Sequence, residues 1–295
     1  MIAPPFIFTA LLLGVLTLAL AVGCGENTAT PSSAPQPVEP DSTVLPYNLD
    51  RPDAAFALPA ELLEISGLAA LDSTHLAAVQ DEEGIIYILD RETALITAQG
   101  RFKGSGDYEG IEVVDGLAWM LRSDGTLYST STAVSHNMDA TRHDMDLHAN
   151  CDAEGLAFDA PANRLLIVCK EHPGRGLRGR RAIYAFDLAT ERRIEAAVYL
   201  IDRAGLDAPG QPFKPSALAI HPSSGYLYVL SSVRKVLVLL DPADSGHILE
   251  AHTLPEHLFP QPEGLAFFPD GTLFIANEGV NGPATRLRFD ERLDE

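Results

Sequence analysis

Apolar residues in this chain come in short runs separated by turns rich in Gly, Asp and Pro. The clearest stretch reads Leu265-Ala-Phe-Phe268, the turn Pro269-Asp-Gly271, Leu273-Phe-Ile-Ala276 and then Thr285-Arg-Leu-Arg-Phe289. Short β-prone runs bounded in this way predict strands. The same order recurs. Candidate second and third strands pair Leu76–Val79 with Ile85–Leu89, Ala118–Leu121 with Thr126–Tyr128, Leu165–Cys169 with Ala182–Phe186, and Tyr226–Leu230 with Val236–Leu240. A fourth, more polar strand is expected around Asp144–His148, Ile194–Ile201 and Ile248–Leu254.

Each unit opens with one phrase: Glu64-Ile-Ser-Gly-Leu-Ala69, Tyr108-Glu-Gly-Ile-Glu112, Ala153-Glu-Gly-Leu-Ala-Phe158, Pro215-Ser-Ala-Leu-Ala-Ile220 and Pro262-Glu-Gly-Leu-Ala-Phe267. Its small residue falls at Gly67, Gly110, Gly155, Ala217 and Gly264, spaced 43, 45, 62 and 47 residues apart. Five modules of this length, each with four antiparallel strands, predict an all-β, five-bladed β-propeller with an insertion in the third blade. The fifth module lacks chain for a fourth strand. A strand near Ala54–Leu58 is therefore expected to close the ring and cover its open edge.

The remaining chain divides in two. Residues 1–23 carry no charge and include the apolar run Phe6–Val22, short for a membrane span and suited to a signal or anchor segment. It ends at Ala21-Val-Gly-Cys24, which resembles a lipobox and makes Cys24 the candidate for lipidation, with Gly25 after it favouring outer-membrane sorting. Residues 24–43 are rich in Pro, Ser and Thr and predict an extended spacer. Residues 44–295 form the propeller. The expected location is the cell membrane or outer membrane, with the domain facing the periplasm or the exterior.

Charge narrows the partners. With 21 basic and 41 acidic residues the chain carries −20, which disfavours nucleic acid and favours cations. The residues opening each blade converge on a propeller's axis, here Ser66, Glu109, Glu154, Ser216 and Glu263. Carboxylates gathered there repel unless a cation neutralises them, so Glu109, Glu154 and Glu263 are candidate ligands for Ca²⁺. The alternative reading makes them turn residues bonded to nearby backbone. Asp81, Glu82, Asn277 and Glu278 join Ser66 and Ser216 as a candidate channel rim, alongside Arg122 and Lys170.

Other signals are weaker. Gly174-Arg-Gly-Leu-Arg-Gly179 spells a dinucleotide fingerprint, but a strand follows where the fingerprint needs a helix, so it reads as a basic loop. His136, His143 and His148 lack zinc spacing, and neither an esterase elbow nor a zinc-protease motif occurs. A hairpin centred near Pro161 would set Cys169 opposite Gly155, leaving Cys151 too distant for a disulfide without a bend in the chain.

The phrases Leu63-Glu-Ile-Ser-Gly-Leu-Ala69, Asp81-Glu-Glu-Gly-Ile85, Gly106-Asp-Tyr-Glu-Gly-Ile-Glu112, Asn150-Cys-Asp-Ala-Glu-Gly-Leu156, Lys214-Pro-Ser-Ala-Leu218 and Gln261-Pro-Glu-Gly-Leu265 resemble the SdiA-regulated (YjiK-like) family of bacterial envelope proteins. The resemblance implies a membrane-associated five-bladed propeller whose biochemical role is poorly defined. More distantly the chain is similar to phytase-like and gluconolactonase-like propellers. Two functions follow as expectations. The first is a non-catalytic, Ca²⁺-stabilised module binding a small molecule or an envelope protein, which the lack of a dedicated nucleophile favours. The second is a metal-dependent hydrolase of phosphoesters or lactones, with Asp107 or Asp152 as base and Lys170 or Arg122 steadying the anionic transition state.

Overall fold

The computed structural model describes residues 44–148 and 150–292. The leader, the spacer and Cys24 lie outside the described residues. Strand β1 (Ala54–Ala57) comes first and is followed by five sheets in sequence. Blade 1 contains β2 (Ile65–Ala70), β3 (His75–Gln80), β4 (Glu83–Asp90) and β5 (Ile96–Ser105). Blade 2 contains β6 (Tyr108–Val114), β7 (Leu117–Arg122), β8 (Thr126–Ser131) and β9 (Thr141–Asp144). In blade 3, β10 (Ala153–Asp159), β11 (Arg164–Cys169) and β12 (Arg180–Asp187) are edged by two short pieces, β13 (Arg192–Arg193) and β14 (Tyr199–Asp202). Blade 4 holds β15 (Ala217–Ile220), β16 (Leu227–Ser231), β17 (Val236–Asp241) and β18 (His247–Thr253). Blade 5 runs β19 (Pro262–Phe267), β20 (Leu273–Asn277) and β21 (Thr285–Phe289), and β1 supplies its outer strand.

The five-bladed propeller expected from the repeat is thus present, and it closes as predicted. Ala54 pairs with Arg288 and Ala57 with Thr285 in an antiparallel ladder. Arg286 locks the seam. Fully buried, it donates to the carbonyls of Asp90 and Arg91 in blade 1 at 3.1 and 2.6 Å, with Phe56 of β1 and Phe274 of β20 near its guanidinium. Burial pulls its pKa down to about 10.

Apolar packing explains the sequence pattern. Five clusters form, each between two neighbouring blades: for example, Leu76 and Tyr87 of blade 1 pack with Phe268 and Phe274 of blade 5, and Leu166 and Val168 of blade 3 with Val229 and Val238 of blade 4. Every middle strand is covered on both faces, so it reads as a continuous apolar run and not as an alternation. Outer strands have one wet face. That is why their bounds were harder to place: β9 lies earlier than the expected Asp144–His148, and the expected Ile194–Ile201 strand is two fragments.

The repeated phrase acquires a physical meaning at the inner strands. In β2, β6 and β19 the ladder skips one residue, which is Ser66, Glu109 or Glu263; in β10 it skips Gly155, which has φ 64°. A β-bulge re-aims the side chains beside it, here toward the axis. The small residue then lets neighbouring inner strands meet. A Cβ on Gly67 would lie 2.8 Å from Gly110 Cα and 2.9 Å from Ile111 N.

The disulfide that the sequence left dependent on a bend in the chain is present. Cys151 and Cys169 are bonded, with Cα atoms 4.8 Å apart. The bulge in β10 pairs Cys169 with Ala153 and not with Gly155, and Asp152 takes a left-handed turn at φ 55° that brings Cys151 back.

The close approach at the axis yields a stability prediction. Gly67→Ala should cost about 1–3 kcal/mol in urea denaturation because two of its three clashing neighbours are backbone and the third, Val79 Cγ2, is a buried branched side chain. Gly104→Ala, whose Cβ would meet nothing within 4 Å, should be near neutral. Equal stability of the two variants would contradict this packing account.

Candidate functional site

The bulged inner strands bring Glu109, Glu154 and Glu263 to the axis, as the repeat implied. Glu154 and Glu263 are 1% and 8% exposed, and Glu109 is half-buried. Ser66 and Ser216 complete the ring differently. Each spans a blade boundary, Ser66 Oγ donating to Tyr108 O at 2.5 Å and Ser216 Oγ to Pro262 O at 2.9 Å. Below them the axis is almost filled by Gly67, Gly110, Gly155 and their neighbours, leaving about 10 Å³, room for roughly one water.

Lys170, expected at the rim as a transition-state stabiliser, instead serves the ring. It follows β11 directly, and its ammonium sits 2.5 Å from Glu154 Oε1. Burial opposes its charge, but Glu154, Glu263 and Glu109 outweigh that and raise its pKa. One lysine cannot neutralise three acids. Burial, then Glu154 and Asp107, push Glu109 up to about 10, so it holds a proton at neutral pH. Burial raises Glu263 as well, and it faces the Ser216 and Ser232 hydroxyls.

These residues do not fit the expected Ca²⁺. Among the described residues no three His, Cys, Asp or Glu side chains converge as a metal cage, and the most buried ring carboxylate is taken by an ammonium. Part of the charge problem that suggested a cation is met by one the chain carries itself.

The other candidates divide between mouth and scaffold. Asp81, Glu82, Glu64, Asp107 and Glu278 gather above the ring. Burial, followed by Glu64, Glu82 and Asp107, lifts Asp81 to about 6, and its buried Oδ1 has no hydrogen-bond partner. Glu278, which accepts from Gln261 Nε2, is pushed up to about 8 by burial and then by Glu263, Asp81 and Glu64. Asp107 accepts a hydrogen bond from Ser123, and the Asp152 carbonyl accepts from Lys170 N at 2.9 Å. Arg122 is engaged within its own blade. Its guanidinium is held by Asp124 in the turn after β7, with Nε 3.0 Å from Oδ1. Asn277 is fully buried and donates to Leu258 O and Thr285 Oγ1 within blade 5.

One residue escaped the sequence reading. Glu112 lies at the other end of the channel, beside a cavity of about 80 Å³ that Phe158 and Phe267 also line. Its carboxylate accepts from Val113 N at 2.8 Å and from Phe158 N at 3.1 Å, tying blade 2 to blade 3. Burial pushes it up to about 7 despite those two bonds. The available signal was a charge inside an otherwise apolar inner strand.

A five-bladed propeller with an internally neutralised acidic axis is the class of protein these observations define. The chain belongs to the SdiA-regulated family, whose profile matches residues 63–281. No curated protein matches the sequence. Among solved structures it is similar to glutaminyl cyclase of Myxococcus xanthus, at 15% identity and TM-score 0.57, over 83% of this chain and 97% of that one. It is also similar to the PQQ-bound aldose sugar dehydrogenase of Streptomyces coelicolor, at 12% identity and TM-score 0.52, over 81% and 97%. At these identities the likeness shows the propeller fold alone.

Two predictions follow from the site. Lys170→Ala strands Glu154 and should cost about 3–5 kcal/mol; adding Glu154→Gln should restore most of it in urea denaturation, whereas equal losses would deny the pairing. For Glu112 the folded pKa of about 7 stands above the ordinary 4.5, so ionisation weakens the fold as pH rises between those values. Glu112→Gln should therefore compare better with wild type at pH 8 than at pH 5, and a melting-temperature difference independent of pH would refute it.

Proposed function

We propose that this chain is an extracytoplasmic, membrane-tethered binding propeller that recognises a cationic group at its acidic channel mouth. The observation that carries the reading is Lys170 in the carboxylate ring. It gives the centre of the propeller a structural counter-ion where a hydrolase of the calcium-dependent kind needs open coordination. Arg122, given the transition-state role from sequence, is engaged by Asp124.

Above the ring the charge remains unbalanced. Asp81 and Glu278 are lifted by partial burial and then by neighbouring carboxylates, and a ligand ammonium or guanidinium placed between them would relieve the second effect on both. An amine-bearing small molecule, or a Lys or Arg side chain of an envelope protein, has that chemistry. Tethering rests on the apolar leader and Cys24 in the sequence. Among the described residues no helix is long and apolar enough to cross a membrane.

Calorimetric titration of the full chain with spermidine, using glycerol as the neutral control, tests the reading. Saturable binding of spermidine alone, weakened about tenfold or more by Asp81→Asn with Glu278→Gln, is expected. No binding, or binding unchanged in that variant, would overturn it. Chelator and added Ca²⁺ should leave the melting temperature of the wild type unmoved.

A further inference from the structure

Blade 3 carries a second polar depression, unrelated to the axial carboxylates and opposite to them in sign. It is a cleft of about 520 Å³ on the insertion that makes this module longer than the others, lined by Asn150, His172, Arg178, Arg180, Arg181 and Arg203 among others. In a chain with 41 acidic and 21 basic residues, four arginines in one cleft call for an explanation.

Their partners show which charges are spoken for. Arg203 is held by Asp207 through two hydrogen bonds, at 3.2 and 2.7 Å. Glu171, the acidic residue of the cleft wall, is paired with Lys214. Arg178 and Arg180 are exposed and form no salt bridge among the described residues. Arg181 is the unusual member. Only 4% exposed, it donates Nε to Phe213 O at 2.9 Å and Nη1 to Glu171 O at 2.5 Å, so its bonds go to neutral carbonyls and its charge has no carboxylate partner of its own. Burial, with Arg203 adding repulsion, lowers its pKa against the opposing pull of Glu171 and Asp207. A buried guanidinium with no carboxylate in direct contact leaves a place for an anion to complete it.

The walls are also fixed. The Cys151–Cys169 disulfide ties together the two segments from which Asn150 and His172 extend, and His172 N donates to Asn150 O at 2.8 Å. His172 stacks on His148 with ring centroids 4.3 Å apart. The opposite wall is the loop Gly174–Gly179, which opens onto β12 and places Arg180 and Arg181 at the start of that strand. A firm base lined by one buried and two exposed arginines is an arrangement that a multivalent oxyanion satisfies, since each guanidinium can offer two parallel N–H donors.

We infer that this cleft binds a phosphate group through Arg178, Arg180 and Arg181, either as free phosphate or as the headgroup of an anionic lipid. The cleft is independent of the cationic ligand proposed for the channel mouth, and its chemistry excludes the same partner.

The test uses the full chain and the double variant Arg178→Ala/Arg180→Ala, both positions being exposed and without a salt bridge among the described residues. Inorganic phosphate is titrated by calorimetry at low ionic strength, and vesicles of phosphatidylcholine with or without phosphatidic acid are tested by flotation. Saturable phosphate binding that the variant weakens about tenfold or more, with equal flotation of the two proteins, identifies a free phosphate ligand. Stronger flotation of the wild type with phosphatidic acid, lost in the variant while both float alike on phosphatidylcholine, identifies a lipid headgroup. Any contribution of the N-terminal segment to flotation is common to both proteins. A wild type that neither binds phosphate nor distinguishes itself from the variant on anionic vesicles overturns the proposal.

Discussion

Acidic side chains brought to the axis of a closed ring repel one another, and the centre of this propeller is organised around the relief of that repulsion. The Lys170–Glu154 pair supplies most of it. Lys170 can reach the ring because β11 ends at Cys169, one residue earlier, beside the strand that carries Glu154. The lysine and its glutamate thus belong to one hairpin, and the bulge at Gly155 sets their relative height. A chain-borne ammonium differs from a dissociable ion: its occupancy does not depend on ionic conditions, and its removal requires a mutation.

The fold was legible because two independent signals agreed. The Glu-Gly phrase fixed the number of blades, and apolar runs without alternation marked the strands buried on both faces. Closure could be read from a missing strand at one end and a spare one at the other. The site was legible only as a gathering of acids. Sequence placed Glu109, Glu154 and Glu263 on the axis, yet the identity of their counter-ion depends on where the Lys170 side chain points, which spacing does not encode. Arg122 and Asn277 occupy positions equivalent to rim residues, but a neighbouring Asp124 and the interior of blade 5 claim them. The disulfide stayed open for a related reason. A ruler of extended residues fails where one bulge and one left-handed aspartate bend the chain.

Blade 3 departs furthest from the repeat. It holds the long insertion, the split outer strand, the disulfide, the lysine of the axis and the arginine cleft. Concentrating variation in one module leaves the inter-blade packing of the rest undisturbed, which is how a symmetrical scaffold can carry an asymmetric surface.

The residues before β1 give the ring a mechanical property. Leu45, Tyr47 and Leu49 are buried against blades 4 and 5, and Tyr47 Oη is bonded to Gly271 O and shares a hydrogen bond with His221. A force applied to the chain from its N-terminal side would load these side chains first and reach the four-residue clasp of β1 only after they had been pulled free. The segment therefore works as a strain relief, letting the domain be held by one end without the pull falling on the strand that keeps the circle shut.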